Sequence, residues 1–231
     1  MRPASTARTL TTIYQKLFKA FGPQYWWPGD TPFEVAVGAI LTQNTAWSNA
    51  AKAIDRLKQE KLLHPDRLNR LAQPKLAQLI RSSGYFNQKA RRLKIFVRFF
   101  LKRHGGRFSR MRRLPLATLR EELLSLSGIG PETADSILLY ALEKPTFVVD
   151  AYTRRILARH SLISWQASYE EIRALFMQRL PKRVSYFNEY HALLVVLGKE
   201  LCKAHPKCHL CPLRKIGRLR LETTPAAEDI L

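Results

Sequence analysis

The run Leu126-Ser127-Gly128-Ile129-Gly130-Pro131-Glu132-Thr133 constrains this chain more than any other stretch. Two glycines one residue apart admit positive φ and let another backbone come close. Pro131 suits the first position of a helix, where its missing N–H costs nothing. The run therefore reads as a tight hairpin that opens directly into a helix. Its free N–H groups and the helix N-terminus together make an anion site. About twenty residues later the apolar segment Thr146-Phe147-Val148-Val149 ends at Asp150, an acid placed to start another helix.

Nearly every other segment carries helical periodicity. Thr31-Pro32-Phe33-Glu34 has the form of a capping box with proline at the first position, followed by Val37, Ile40 and Leu41 on one face. Ala51, Ile54 and Leu57 mark the next helix. Leu93, Phe96, Val97 and Phe100 mark another over Gln88 to Lys102, with Asn87 as its expected cap. Helical patterns also cover Pro115 to Leu126, Pro131 to Leu142, Ala151 to His160, Tyr169 to Leu180 and Phe187 to Lys203. The only β-branched run is Thr146 to Val149, and it is short. The expected fold class is all-α, with short helices and short connections. The polar, acidic stretch Thr223 to Leu231 is expected to fray.

Lys and Arg total 39 against 18 acids, a net charge of +21 on 231 residues, while 46% apolar residues are enough for a sizeable core. An excess this large points to a polyanion, and nucleic acid is the commonest one. No apolar run approaches the roughly 20 residues of a membrane-spanning helix, so no membrane partner is expected. Met1-Arg2-Pro3-Ala4-Ser5 opens without the apolar stretch of a secretion signal. The cysteines, confined to Cys202, Cys208 and Cys211, do not form a disulfide framework. A reducing cytoplasm, at a bacterial nucleoid, is the expected compartment.

Taken together, Leu41-Thr42-Gln43-Asn44-Thr45, the hairpin Leu126 to Gly130, and Val149-Asp150 followed by Tyr152 and Arg154 resemble the endonuclease III branch of the helix-hairpin-helix (HhH-GPD) DNA glycosylase superfamily. The resemblance runs from about Trp26 to Cys211. It implies two helical domains with double-stranded DNA in the cleft between them. One is a six-helix barrel carrying the hairpin, residues 24–144. The other joins residues 1–23 to 145–231. A monomer is expected.

Read by itself, Asp150 is as well suited to capping a helix as to catalysis. The resemblance implies catalysis: excising a base passes through an oxocarbenium-like cation, which a carboxylate can stabilise while it activates water. Glu132 stands where bifunctional members carry the lysine that forms a Schiff base and nicks the strand. Glutamate cannot form that imine, so the implied enzyme is monofunctional. Gln43 aligns with the side chain that fills the gap left by a flipped nucleotide; on pattern alone it is equally an ordinary polar residue at a helix end. Gly128, Ile129 and Gly130 are the expected phosphate grip, with Lys89, Arg91 and Arg92 as further phosphate partners. By the same resemblance, the carbonyls of Leu124, Leu126 and Ile129 are a seat for a monovalent cation.

Trp26 and Trp27, in Tyr25-Trp26-Trp27-Pro28, belong either to the core or to a base pocket. Indole faces would hold a positively charged alkylated purine. With Gly84-Tyr85-Phe86-Asn87-Gln88-Lys89-Ala90, this segment resembles the 3-methyladenine glycosylase group, so an alkylated purine such as 3-methyladenine is the expected substrate. The alternatives are uracil or thymine mismatches, a bifunctional glycosylase/lyase, and a non-catalytic DNA-binding module. Cys202-x5-Cys208-x2-Cys211 resembles the four-cysteine iron–sulfur loop of many relatives, with Gly217 where they place the fourth thiolate. An incomplete or labile cluster, zinc held with His205 or His209, and no metal at all are the open readings.

Overall fold

Thr31 starts the helix around which half of the molecule is packed. Its hydroxyl accepts the Glu34 N–H at 3.1 Å and Pro32 takes the first helical position, opening α2 (Pro32–Leu41). The Glu34 carboxylate turns back to the Asp30 N–H at 3.3 Å, one residue short of the reciprocal bond of a capping box, and pairs with Lys58 at 2.6 Å. The structure, a computed structural model, describes residues 3–26 and 29–217, with side chains from Thr6 onward. Among these the regular elements are all helical, and none is long and apolar enough to cross a membrane.

The chain divides into two compact units, Trp27–Thr146 and Met1–Trp26 with Phe147–Leu231. The first holds α2, α3 (Trp47–Gln59), α4 (Pro65–Arg70), α5 (Gln73–Leu79), α6 (Phe86–His104), α7 (Phe108–Arg112), α8 (Leu116–Leu124) and α9 (Pro131–Ser136). α2 is buried nearly all round and packs against α3, α6 and α9. Beyond Ser136 the last of these widens into a π turn, Ile137–Ala141, closed by the Leu142 N–H on the Ile137 carbonyl.

Buried charges hold this unit at several points. Fully buried Asp135 accepts Arg120 Nε at 3.1 Å and the Thr146 hydroxyl at 2.8 Å. Lys94 Nζ donates to the Leu68, Asn69 and Leu71 carbonyls at 2.5–3.0 Å, closing the end of α4. α6 begins at Phe86, not Gln88: Gly84 (φ +68°) and Tyr85 (φ +43°) reverse the chain there, so Asn87 lies inside the helix and does not cap it. Thr146 to Val149 is buried and forms no strand.

The second unit holds α1 (Pro3–Phe21), α10 (Ala151–Arg159), α11 (Tyr169–Arg179) and α12 (Val184–Glu200). α12 packs on α1 and α10. The approach to α10 depends on Gly198, where a Cβ would sit 2.4 Å from Tyr152 Cδ1. Phe147 stacks on Phe176 with centroids 3.7 Å apart, and the buried Tyr190 hydroxyl donates to the Leu10 carbonyl at 2.8 Å. Ser168 and Glu171 form a complete capping box at α11.

Candidate active site

Asp150 is the N-cap of α10, its Oδ1 accepting the Thr153 N–H at 2.7 Å. Its Oδ2 lies 3.6 Å from His191 Nε2 on α12, an ion pair whenever that imidazole is protonated. Burial pushes the Asp150 carboxyl up, but His191 and the Thr153 N–H outweigh it and hold the group below the usual carboxylate range. Cap and ready anion are therefore the same residue: the bond that starts α10 also keeps the carboxylate charged.

Trp26 belongs to this cluster. Its ring meets His191 edge-on with centroids 6.3 Å apart, and the Lys199 ammonium lies 5.9 Å from its centroid. Its Nε1 is buried with no acceptor among the described residues. Trp27 lies outside the described residues. His191 escaped the sequence reading, because a lone histidine in the apolar run of α12 gives no signal of its own.

The hairpin sits in the other unit. Gly128 (φ +86°) is required twice, by its backbone angle and by Arg92, whose Cγ would be 2.5 Å from an added Cβ. Gly130 has φ −85° and open space around the missing Cβ, so the fold itself does not call for glycine there. Ile129 is buried and its N–H closes the turn on the Leu126 carbonyl at 3.0 Å. Leu124, Leu126 and Ile129 line an open depression around the hairpin with Arg92. Glu132 is exposed in the first turn of α9, where an acid suits the helix dipole.

Gln43 is tied into this corner. Its amide donates to the Gly128 carbonyl at 3.0 Å and to the Thr133 hydroxyl at 2.8 Å, and its Oε1 accepts Arg92 Nη1 at 2.5 Å. Lys89 departs from expectation. It is buried, and its ammonium donates to the Leu41 and Ser83 carbonyls at 2.9 and 2.5 Å, so it is a structural pin with no surface charge left for a phosphate. Arg91 is exposed, while Arg92 is engaged with Gln43.

Cys202, Cys208 and Cys211 face one recess, lined also by Arg159, His160 and Lys207. Neither His205 nor His209 lines it. Position 217 cannot supply a fourth thiolate in this backbone: Gly217 has φ +63°, and a Cβ there would be 2.5 Å from the His160 carbonyl oxygen. Burial pushes the Cys211 thiol up. Among the described residues no three His, Cys, Asp or Glu side chains are arranged to hold a metal. The residues present do not fit a four-thiolate cluster. Arginine and histidine side chains brace the loop. Arg159 donates to Cys202 Sγ at 3.4 Å and to the Lys203 carbonyl at 2.6 Å, Arg155 to the Cys202 carbonyl at 2.8 Å, and His160 Nδ1 lies 2.7 Å from the Ile216 carbonyl.

A family model described as the HhH-GPD superfamily base excision DNA repair protein matches residues 37–182. The chain therefore belongs to the HhH-GPD family of DNA glycosylases that act in base excision repair. It is 45% identical over 205 residues to a candidate DNA repair glycosylase of Methanocaldococcus jannaschii, covering 88% of this chain and 93% of that one. Endonuclease III in a non-covalent complex with DNA superposes with a TM-score of 0.79 at 25% identity, over 92% of this chain and 95% of the other. The 3-methyladenine DNA glycosylase of H. pylori, bound to 1,N6-ethenoadenine, gives 0.71 at 27% identity, over 87% and 98%.

Proposed function

We propose that this chain is a monofunctional DNA N-glycosylase that removes an alkylated purine such as 3-methyladenine and leaves the abasic site uncut. The observation that carries the reading is Asp150, a nearly buried carboxylate kept anionic by His191 and the Thr153 N–H. Water attacks C1′ of the sugar, the N-glycosidic bond breaks, and its electron pair leaves with the base. Asp150 stabilises the developing cation and takes the proton of the attacking water. An N3-alkylated purine carries a positive charge and departs neutral, so no general acid is required.

Trp26 beside His191 supports a cationic base, since an indole face attracts positive charge and already carries the Lys199 ammonium in the free protein. The likeness to a solved 3-methyladenine glycosylase supports the same substrate class. Glu132 supports hydrolysis without strand cleavage, because a carboxylate cannot form the imine through which lyases act. The Gly128 and Gly130 N–H groups serve as the phosphate grip and Gln43 as the wedge. The Leu124, Leu126 and Ile129 carbonyls are suited in donor chemistry to a monovalent cation there.

The test is excision from methylated duplex DNA, with breaks scored with and without hot alkali. Breaks only after alkali are expected. Breaks without alkali, or a borohydride-trapped covalent adduct, would make the enzyme a lyase. Intact strands in both lanes, with excision from uracil or thymine mismatches, would move the substrate class.

A further inference from the structure

α3, α5 and the short turn Arg81–Ser83 enclose an open groove of about 450 Å³, which the hairpin chemistry does not use. Lys52, Arg56, Lys75, Gln78, Arg81 and Ser82 line it, and no carboxylate does. Arg56 pairs with Glu60 at 3.0 Å, but both side chains are exposed and such a pair is weak. Lys52, Lys75 and Arg81 make no ion pair among the described residues. Like charges gathered in one concavity repel in the free protein and are relieved only by an anion that meets several of them together.

The groove is a fixed surface. The Ser82 hydroxyl donates to the Asn49 carbonyl at 3.1 Å, fastening the turn to α3, and the Arg81 guanidinium rests 5.9 Å from the Phe86 ring centroid. The Lys89 ammonium binds Ser83 and Leu41 together, so one buried pin joins the wall of the groove to the segment that leads into Gln43. Gln43 in turn bonds to Gly128. These hydrogen bonds, joined by the short chain segment from Leu41 to Gln43, connect the groove to the hairpin within one unit.

We propose that this groove is a second backbone contact for duplex DNA, gripping phosphates beyond those held at the hairpin. The regular, densely spaced charge of a duplex suits an array of three unpaired cations better than a small anion does. Its contacts carry no sequence information, so they hold undamaged and damaged DNA alike. The inference rests on the membership in a DNA glycosylase family and not on the alkylpurine reading.

The test compares the whole protein with its Lys52→Ala/Lys75→Ala/Arg81→Ala variant on a duplex carrying an uncleavable abasic-site analogue, following affinity against salt. Neutralising about three phosphate contacts should flatten the slope of log K against log [salt] by about 2.7. Single-turnover excision at saturating enzyme should stay unchanged. A control, Lys102→Ala/Arg107→Ala/Arg113→Ala, removes the same charge elsewhere in the unit and should flatten the slope less. An unchanged slope, or equal flattening in the control, would overturn the proposal. So would an unchanged DNA slope together with weakened binding of polyglutamate, which would assign the groove to an acidic protein. The three side chains are exposed, and Lys75→Glu alone gives an independent reading of the same effect.

Discussion

His191 Nε2 lies 3.6 Å from Asp150 Oδ2, and the other oxygen of that carboxylate caps α10 through Thr153. Asparagine keeps the cap, so Asp150→Asn should fold normally while losing excision by about 10²-fold or more. His191→Asn tests the tuning separately. Without the imidazole the carboxyl pKa rises, and the acid limb of the excision rate should move to higher pH, with little change at pH 7. A limb that stays in place would show that His191 packs without tuning.

Gln43 is fastened at both ends of its amide, to Gly128 and Thr133 on one side and Arg92 on the other. Gln43→Ala removes these bonds, at about 1 kcal/mol each, and the thermal midpoint should fall by several degrees. Acting as a wedge requires breaking the same bonds, so the Gln43 side-chain amide, followed by NMR, should lose its exchange protection when lesion DNA binds. Protection that persists would mean that Gln43 never leaves its seat.

Burial of the Lys89 ammonium, with Arg92 beside it, lowers its pKa from 10.5 to about 8. Between about pH 8 and 10.5 the unfolded chain then holds more protons than the folded one, so the unfolding free energy rises with pH across that window. One such group contributes a slope of at most about 1.4 kcal/mol per pH unit. Lys94 is shifted the same way by its own burial. Chemical denaturation at stepped pH should show the rise, and Lys89→Met should remove the larger part of it.

The Cys202–Cys211 loop is held by Arg159 and Arg155. Chelators should leave the thermal midpoint of the purified protein where it was, whereas Arg159→Ala should lower stability by about 2–4 kcal/mol through its lost carbonyl and sulfur contacts. Stoichiometric iron in the purified protein, lost together with the fold on chelation, would show the opposite dependence.

The helices of the barrel-like unit were legible where capping residues and periodic apolar positions coincide, as at Thr31, Pro131 and the Leu93–Phe100 face. Pro65–Arg70 and Phe108–Arg112 are too short to show a period. Lys89 misled because an ammonium reads as surface, and only the fold reveals two carbonyls waiting to receive it. Asp150 stood out by its place after an apolar run. His191 did not, since the contact that gives it meaning joins residues forty-one positions apart. Sequence spacing carries local chemistry, and pairings made by packing stay invisible until the chain is folded.

Gly130 is exposed, with open space where its side chain would be, and nothing in the free protein needs a glycine there. Neither its backbone angle nor any neighbour would object to a methyl group there. On the proposed reading of the hairpin as a phosphate grip, that bareness would let a ligand backbone come closer than a side chain permits, and Gly130→Ala, harmless to the fold, should weaken DNA binding alone.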